Sequence, residues 1–307
     1  MKKSIAVIGQ GFVGGSLTTV FSERGFDVYV YDKAGKVATG GIDRFAPTDI
    51  SASSGPTAVQ IFAASCSALK DFSGIFFVCL PTPMYEDGAA DLSIVEGVLE
   101  QLAEMPGERI AVVKSTVPPG STKAWQEKFS STGLKVVFNP EFLTERSALE
   151  DMRAQDRIIL GGKRPEVDLV KQIFVAAFPN ASIVKTDSST AEMVKYFANT
   201  FFSVKVSFAN EMKQICDAAE IDYDKVVEYA GQDVRLGKSH WNVPGPDGHF
   251  GFGGHCFPKD INAMIAKAKD LGVDPKVLSS AWQKNLEVRT DRNWEKMTGR
   301  AVSKRKN

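Results

Sequence analysis

The chain carries no surplus of charge: 37 Lys and Arg face 37 Asp and Glu over 307 residues. That balance removes the electrostatic reason to expect a nucleic acid or another polyanion as partner. The basic end, Lys304-Arg305-Lys306, reads as a solvated tail. Cysteine is scarce, and Cys66, Cys79, Cys216 and Cys256 include no Cys-x-x-Cys pair. No disulfide framework follows, which fits a reducing compartment. Cys79 in its apolar run and Cys216 at helical spacing read as small core residues. There are three histidines. His240, His249 and His255 with Cys256 match no standard zinc spacing, so no metal is expected. No apolar run approaches the length of a membrane span. Ile5 to Ile8 behind Met1-Lys2-Lys3 is too short for the core of a signal peptide. A cytoplasmic protein is expected.

What remains is an ordinary globular composition, 43% hydrophobic and 24% charged, with no repeats. The length suits two compact domains or one large one. Ser4 to Ile8 is a short apolar run of the kind that forms a buried parallel strand. Gly9-Gln10-Gly11-Phe12-Val13-Gly14 follows, then an apolar-periodic stretch to about Gly25. A Gly-x-Gly-x-x-Gly between strand and helix is a dinucleotide-binding turn. Gly9 permits the tight turn, Gly11 lets backbone meet a pyrophosphate, and Gly14 lets helix and strand pack. Phe12 and Val13 open the helix, whose N–H groups face the phosphates. The next strand, Asp27 to Tyr31, ends at Asp32, which lies 18 residues after Gly14. An acid there accepts from the adenosine ribose and repels an extra phosphate, so NAD is expected rather than NADP. Lys33 and Lys36 stand beside it, and Lys36 is counted with the cofactor site.

Strands are expected at Ile75–Leu80, Arg109–Lys114, Leu134–Phe138, Arg157–Leu160 and Ala181–Lys185. Helices are expected at Leu92–Met105, from Ser121 as cap to about Ser130, and at Pro165–Phe178. Three of the strands end in polar, proline-bearing turns: Pro81-Thr82-Pro83, Ser115–Gly120 and Asn139–Glu145. Open α/β sheets bind ligands at such ends. The alternation predicts a doubly wound parallel sheet. From about Ser188 to Ala219 one long helix without Gly or Pro is predicted, with an apolar stripe suited to bridging domains or to a dimer interface. The expected division is a Rossmann-type domain over 1–187 and the long helix plus a small helical domain over 188–307. Lys195 and Asn199 share a helix face; two solvated polar side chains would do the same. A short helix is expected near 224–229, then a Gly/Pro-rich loop from Gly237 to Gly254, and then helices at about 258–271 and 275–297.

Gly251-Phe252-Gly253-Gly254-His255-Cys256-Phe257-Pro258-Lys259-Asp260 gathers glycines, a thiol, a cation and a carboxylate in one stretch. Glycines let backbone approach a ligand, and the thiol is a candidate nucleophile. An inert thiol and a helix-start charge at Asp260 are the plain alternatives.

Together Gly9–Gly14, Leu80–Pro83, Ser115–Gly120, Asn139–Glu145, Ala191–Asn199, Asn210-Glu211, Asp233–Gly237 and Gly253–Asp260 resemble the UDP-glucose 6-dehydrogenase family, among the nucleotide-sugar dehydrogenases. The motifs stand in the family's order over most of the chain. Phe257–Asp260 looks closer to the UDP-glucose branch than to the UDP-N-acetyl-mannosamine branch. The resemblance implies oxidation of sugar C6 from alcohol to carboxylate with two NAD. Cys256 would hold the aldehyde as a thiohemiacetal and then a thioester. Lys195 and Asn199 would stabilise charge on the C6 oxygen, Asp260 would serve as base with a water, and Glu141 would assist hydrolysis. Thr116 would place water or the nicotinamide end. Thr82, Glu145 and Lys259 would contact cofactor. Glu141, Phe142, Leu143, Thr144 and Glu145 would line the sugar-nucleotide site with His249 and Gly253. Arg235 would reach the substrate of a neighbouring subunit in a homodimer built on the long helix.

Two departures stand out. The family normally continues with a second Rossmann-like domain of about 100 residues, so a short form lacking this C-terminal UDP-binding domain is expected. Trp241 to His249 is also longer and more polar than the family's segment. The alternatives are another nucleotide-sugar 6-dehydrogenase, for UDP-N-acetyl-hexosamine or GDP-mannose, and a non-catalytic NAD- or sugar-nucleotide-binding module. Intact Cys256, Lys195, Asn199 and Asp260 speak against the module.

Overall fold

The computed structural model describes residues 4–33, 60–62 and 74–305. Lys36 and Cys66 lie outside them. Contacts divide the chain into two units, Met1–Pro81 with Leu92–Lys195 and Thr82–Asp91 with Tyr196–Asn307.

The first unit is built on strands β1 (Ser4–Ile8), β2 (Asp27–Tyr31), β3 (Gln60–Phe62), β4 (Ile75–Val78), β5 (Arg109–Val113), β6 (Leu134–Phe138), β7 (Arg157–Gly161) and β8 (Ser182–Thr186). Their order is β3-β2-β1-β4-β5-β6-β7-β8. The first six pair in parallel, in the 3-2-1-4-5-6 arrangement of dinucleotide-binding sheets. The expectation of a parallel sheet stops at β7. It meets β6 antiparallel through the single register pair Phe138↔Gly161, while β8 is parallel to β7. An apolar run buried on both faces looks alike in either direction, so the sequence pattern does not carry this reversal.

Strand alternation explains how one sheet feeds two cores. On β1, Ala6 and Ile8 join the cluster of Leu99 and Trp125, which come from α2 (Ser93–Glu104) and α3 (Ser121–Lys128). Ile5 and Val7 face the other way, into a cluster with Phe21 of α1 (Phe12–Glu23), Met152 of α4 (Ala148–Arg153) and Phe174 of α5 (Arg164–Ala177). Phe21 stacks edge-on to Phe26 at 5.0 Å and to Phe174 at 6.0 Å, and Phe77 lies 5.7 Å from Phe174. Ser121 does not cap α3. The Glu192 carboxylate accepts from Gly120 N and Thr122 N at 2.6 and 2.7 Å, and Ser121 Oγ donates to the Pro118 carbonyl instead. A charged acceptor makes the stronger cap.

The long helix α6 (Ser188–Ala218) contributes to both units. The second unit adds α7 (Tyr223–Ala230), α8 (Cys256–Asp270) and α9 (Lys276–Val288). Asp222 caps α7 by accepting from Asp224 N and Lys225 N. α8 starts two residues before the expected Pro258, because proline is tolerated in a first turn, where its missing N–H has no helical partner. α9 stops at Val288, well short of 297, and a separate 3-10 turn covers Asn293–Lys296. The cores here are small: Phe252, Ile261, Ile265 and Ala281 form one, and Ala209, Cys216, Tyr223 and Val243 another. The Thr82–Asp91 segment is tied to the chain end by Met84 N to the Ala301 carbonyl and Ser303 N to the Met84 carbonyl, both 2.8 Å. Among the described residues no helix is long and apolar enough to cross a membrane.

Phe174→Ala is expected to remove about 3–5 kcal/mol from the sheet unit, seen as a lower urea midpoint for the tertiary signal of that unit.

Candidate active site

The sheet unit gathers its polar residues where β1, β4, β5 and β6 end. Gly9 N donates to the Tyr31 carbonyl at 2.8 Å, closing the turn after β1. A side chain at Gly14 would collide with the Gly9 carbonyl, so that glycine is required by packing. Gly11 is different. It is exposed, and a Cβ there would meet nothing within 4 Å. This open backbone at the N-terminus of α1 fits a pyrophosphate. Phe12 and Val13 occupy the first positions of α1, half-buried. Asp32 accepts from Gln10 N at 2.7 Å through one carboxylate oxygen. The acid therefore fixes the glycine turn as well as marking the ribose position. The residues present fit NAD.

Ser115 Oγ accepts from Leu80 N at 2.9 Å, joining the turns after β4 and β5, and half-buried Thr116 follows. Glu141 is buried beyond the end of β6. One of its oxygens accepts from Leu143 N, and the other lies 3.8 Å from the equally buried Lys195 Nζ. Phe142 is half-buried beside this pair, its ring 5.7 Å from Lys195 Nζ. Thr144 and Glu145 are exposed; Thr144 N donates to Asp151 at 2.7 Å, and Glu145 opens a 3-10 turn.

The helical unit holds the other group. Asp260 is 1% exposed. Its Oδ2 accepts from Asn199 Nδ2 at 2.5 Å and its Oδ1 from Lys259 Nζ at 2.5 Å. Lys259 Nζ also stands 3.5 Å from Thr82 Oγ1. Cys256, half-buried, is the first residue of α8, with His255 as its N-cap, and Asp260 follows one turn later on the same face. The glycine stretch before it is held by side chains. Gly251 N donates to Asn210, Phe252 N to Asn285 and Gly254 N to Asn293, at 3.0, 2.7 and 3.0 Å. The Arg289 guanidinium fills the space a side chain at Gly253 would need, and it reaches Asp247 at 2.8 Å.

The structure thus joins Glu141 with Lys195, and Asn199 with Asp260, Lys259 and Thr82. It does not draw Arg235 into a cluster. That side chain is 84% exposed and is paired with Asp233. His249 is half-buried, 3.8 Å from Asp291. Lys36 lies outside the described residues. Asn285, Arg289, Asn293 and Lys114 do not stand out in the sequence, and Asn139 and Glu192 fall inside stretches singled out there without a role of their own. Asn285 and Arg289 share the four-residue spacing of Lys195 and Asn199, which is the one available signal.

A doubly wound sheet with an Asp-terminated glycine turn defines a dinucleotide-binding unit of the kind that NAD-dependent oxidoreductases carry. Residues 3–177 match the model of the NAD binding domain of the UDP-glucose/GDP-mannose dehydrogenase family, and residues 189–287 match that family's central domain. The chain belongs to this family. It is 33% identical over 299 residues to the UDP-glucose 6-dehydrogenase AglM of Haloferax volcanii, covering 90% of this chain and 68% of the relative. It is 33% identical over 299 residues to the UDP-glucose 6-dehydrogenase TuaD of Bacillus subtilis, with 94% and 64% covered. Among solved structures, the UDP-glucose dehydrogenase of Pyrobaculum islandicum aligns at a TM-score of 0.77 and 28% identity, over 94% of this chain and 68% of that one. The chain spans about two thirds of the length of these relatives.

Asp32→Ala is expected to weaken NAD binding about tenfold and to narrow its advantage over NADP, because both the ribose acceptor and the brace on Gln10 N are lost. Calorimetric titration with both nucleotides checks this.

Proposed function

We propose that the chain oxidises C6 of UDP-glucose to the carboxylate, giving UDP-glucuronate. The observation that carries this reading is the placement of Asp260. It lies one turn after Cys256 on α8, with one oxygen on Asn199 and the other on Lys259. Such buried, fully engaged polar groups hold a reacting constellation in one geometry. When bound, NAD accepts hydride. The sugar alcohol, two NAD and one water yield a carboxylic acid, two NADH and two protons, with a third proton released on ionisation.

In the first oxidation the C6 hydroxyl loses its proton to a water held by Asp260. Lys195 and Asn199, one turn apart on α6, stabilise the negative charge that develops on that oxygen. The aldehyde cannot give up a second hydride until a nucleophile adds. Cys256 adds its sulfur to C6, and the carbonyl oxygen takes up a proton. A thiolate is favoured at a helix N-terminus, where Cys256 sits. After the second hydride leaves, the sugar is a thioester of Cys256. Water then attacks its carbonyl carbon, Glu141 takes the water's proton, the C–S bond breaks and the thiol is restored. Thr116 positions that water or the nicotinamide end. Thr82, Glu145 and Lys259 belong to the cofactor side. Phe142, Leu143, Thr144, His249 and Gly253 belong to the sugar-nucleotide side. A cytoplasmic setting suits a reaction that needs a free thiol.

The protein also acts as a homodimer in this reading. On α6, Phe197, Phe201, Phe208 and Ile215 are 70%, 54%, 52% and 53% exposed. Their spacing of four, seven and seven residues forms one stripe, the pattern of a helix packed on a copy of itself. Arg235, exposed and rigidly held by Asp233, is available to the partner's substrate.

The stoichiometry decides the mechanism: two NADH per UDP-glucose are expected, with Cys256→Ser blocked before the second. One NADH with free aldehyde released would overturn the covalent step. No NADH from any UDP- or GDP-sugar would overturn the enzyme reading, and turnover of GDP-mannose or a UDP-N-acetyl-hexosamine alone would move the substrate. Separately, Phe201→Glu is expected to convert the dimer to monomer in sedimentation runs at micromolar concentration. A wild-type monomer there would overturn the dimer.

A further inference from the structure

The sheet unit buries a second ammonium that the reaction above leaves without a task. Lys114 follows β5 directly, its N–H continuing the ladder to the Val78 carbonyl at 2.9 Å, and it is 4% exposed. Its Nζ donates to Asn139 Oδ1 at 2.7 Å. Asn139 is fully buried, and its own amide donates to the Ile159 carbonyl at 2.8 Å. The amide is thereby oriented with its oxygen toward the ammonium. The direct partner of Lys114 is neutral, so its charge is positioned without being cancelled.

The titratable groups that reach Lys114 are Glu141, Lys195 and Cys79. Burial pushes the Lys114 ammonium down; Cys79 and then the Glu141 carboxylate oppose that fall, and Lys195 adds to it. Burial pushes the Cys79 thiol up to about 12, so at neutral pH it is an uncharged thiol and its thiolate faces Lys114 only in alkali. One carboxylate is left facing two ammonium groups. Lys195 already touches Glu141 and is committed to the C6 oxygen in the proposed reaction. When Lys195 turns to that oxygen, the buried Glu141 carboxylate loses a nearby ammonium, and that loss favours uptake of a proton. Asn139 lies two residues before Glu141, so the anchor of Lys114 and the base share one short segment after β6.

We propose that Lys114, fixed by Asn139, is a positioning residue that keeps Glu141 ionised while it removes the proton from the hydrolytic water. This rests on the reading of Glu141 as that base. The sign follows from the charges. A cation favours the carboxylate, so removing it makes Glu141 protonate at higher pH. Hydrolysis then fails at a higher pH than in the wild type.

The test compares Lys114→Met, Lys114→Gln and Lys114→Arg with wild type and Glu141→Gln, using UDP-glucose and NAD. Two readouts are taken between about pH 5 and 9: the rate of the second NADH-linked turnover, and intact mass after acid quench. In Lys114→Met and Lys114→Gln the acid limb is expected to move up by about one unit, the low end of the range for an opposite charge nearby. The thioester adduct on Cys256 should accumulate below the displaced limb and clear above it. Lys114→Arg should restore the wild-type limb. If Lys114→Met does not fold, Lys114→Gln, which keeps a donor for Asn139, carries the comparison. Lower rates with an unmoved limb and no adduct would make Lys114 merely structural and overturn the proposal. An acid limb retained in Glu141→Gln would overturn the assignment of Glu141, and that of Lys114 with it.

Discussion

The buried carboxylate of Asp260 is the constraint around which the helical unit is arranged. Removing a carboxylate from water costs several kcal/mol unless its lone pairs are met. Here the two oxygens are met from different directions, by Asn199 on α6 and by Lys259 beside it on α8. The requirement helps fix how α8 lies against α6, since rotation of either helix would take the Asn199 amide away and leave one buried carboxylate oxygen without its donor, while the Lys259 pair lies within α8. It also fixes Cys256, one turn earlier on the same helix face. The small apolar clusters around Phe252 and Ile261 are too limited to set such an alignment alone.

The sheet unit solves the same problem by different means. Its core is large and apolar on both faces, so the strands need no polar pairs to align. The long-range polar bonds gather at the rim of the sheet, near the ends of the strands. Asp32 braces the glycine turn, Ser115 joins two turns, Asn139 links Lys114 to the Ile159 carbonyl, and Glu192 caps α3 from α6. Each of these bonds crosses between elements distant in sequence. They stiffen the rim that a ligand meets without weakening the centre of the sheet.

That division explains which features are legible in the sequence. β1 and β2 fall on the expected residues, and α6 ends one residue from its expected limit, because apolar runs and periodicity are local signals. The direction of β7 is not legible, since it depends on which strand edge is free and not on the five residues themselves. Ser121 resembles a cap because its neighbours cannot reveal a carboxylate arriving from 70 residues away. The same limit hides Asn285, Arg289 and Lys114. The motif residues are visible through resemblance and spacing, whereas the groups that hold them act through single long-range bonds with no period.

The glycines show why that distinction matters for function. Both glycine stretches suggest backbone left bare for a ligand, yet most of the bareness is used internally. Gly14 yields its space to the Gly9 carbonyl, and Gly253 yields its space to the Arg289 guanidinium. In the first stretch only Gly11 faces space with no neighbour within 4 Å, and in the Gly251–Gly254 stretch only Gly254 does. Gly11 lies at the N-terminus of α1, and Gly254 lies two residues before Cys256 at the N-terminus of α8. Each of the two motif stretches therefore presents one uncovered glycine at a helix start, with the surrounding glycines serving to hold it there. The protein's own side chains explain the rest of the motif, and the two open positions are where backbone can meet a ligand from outside.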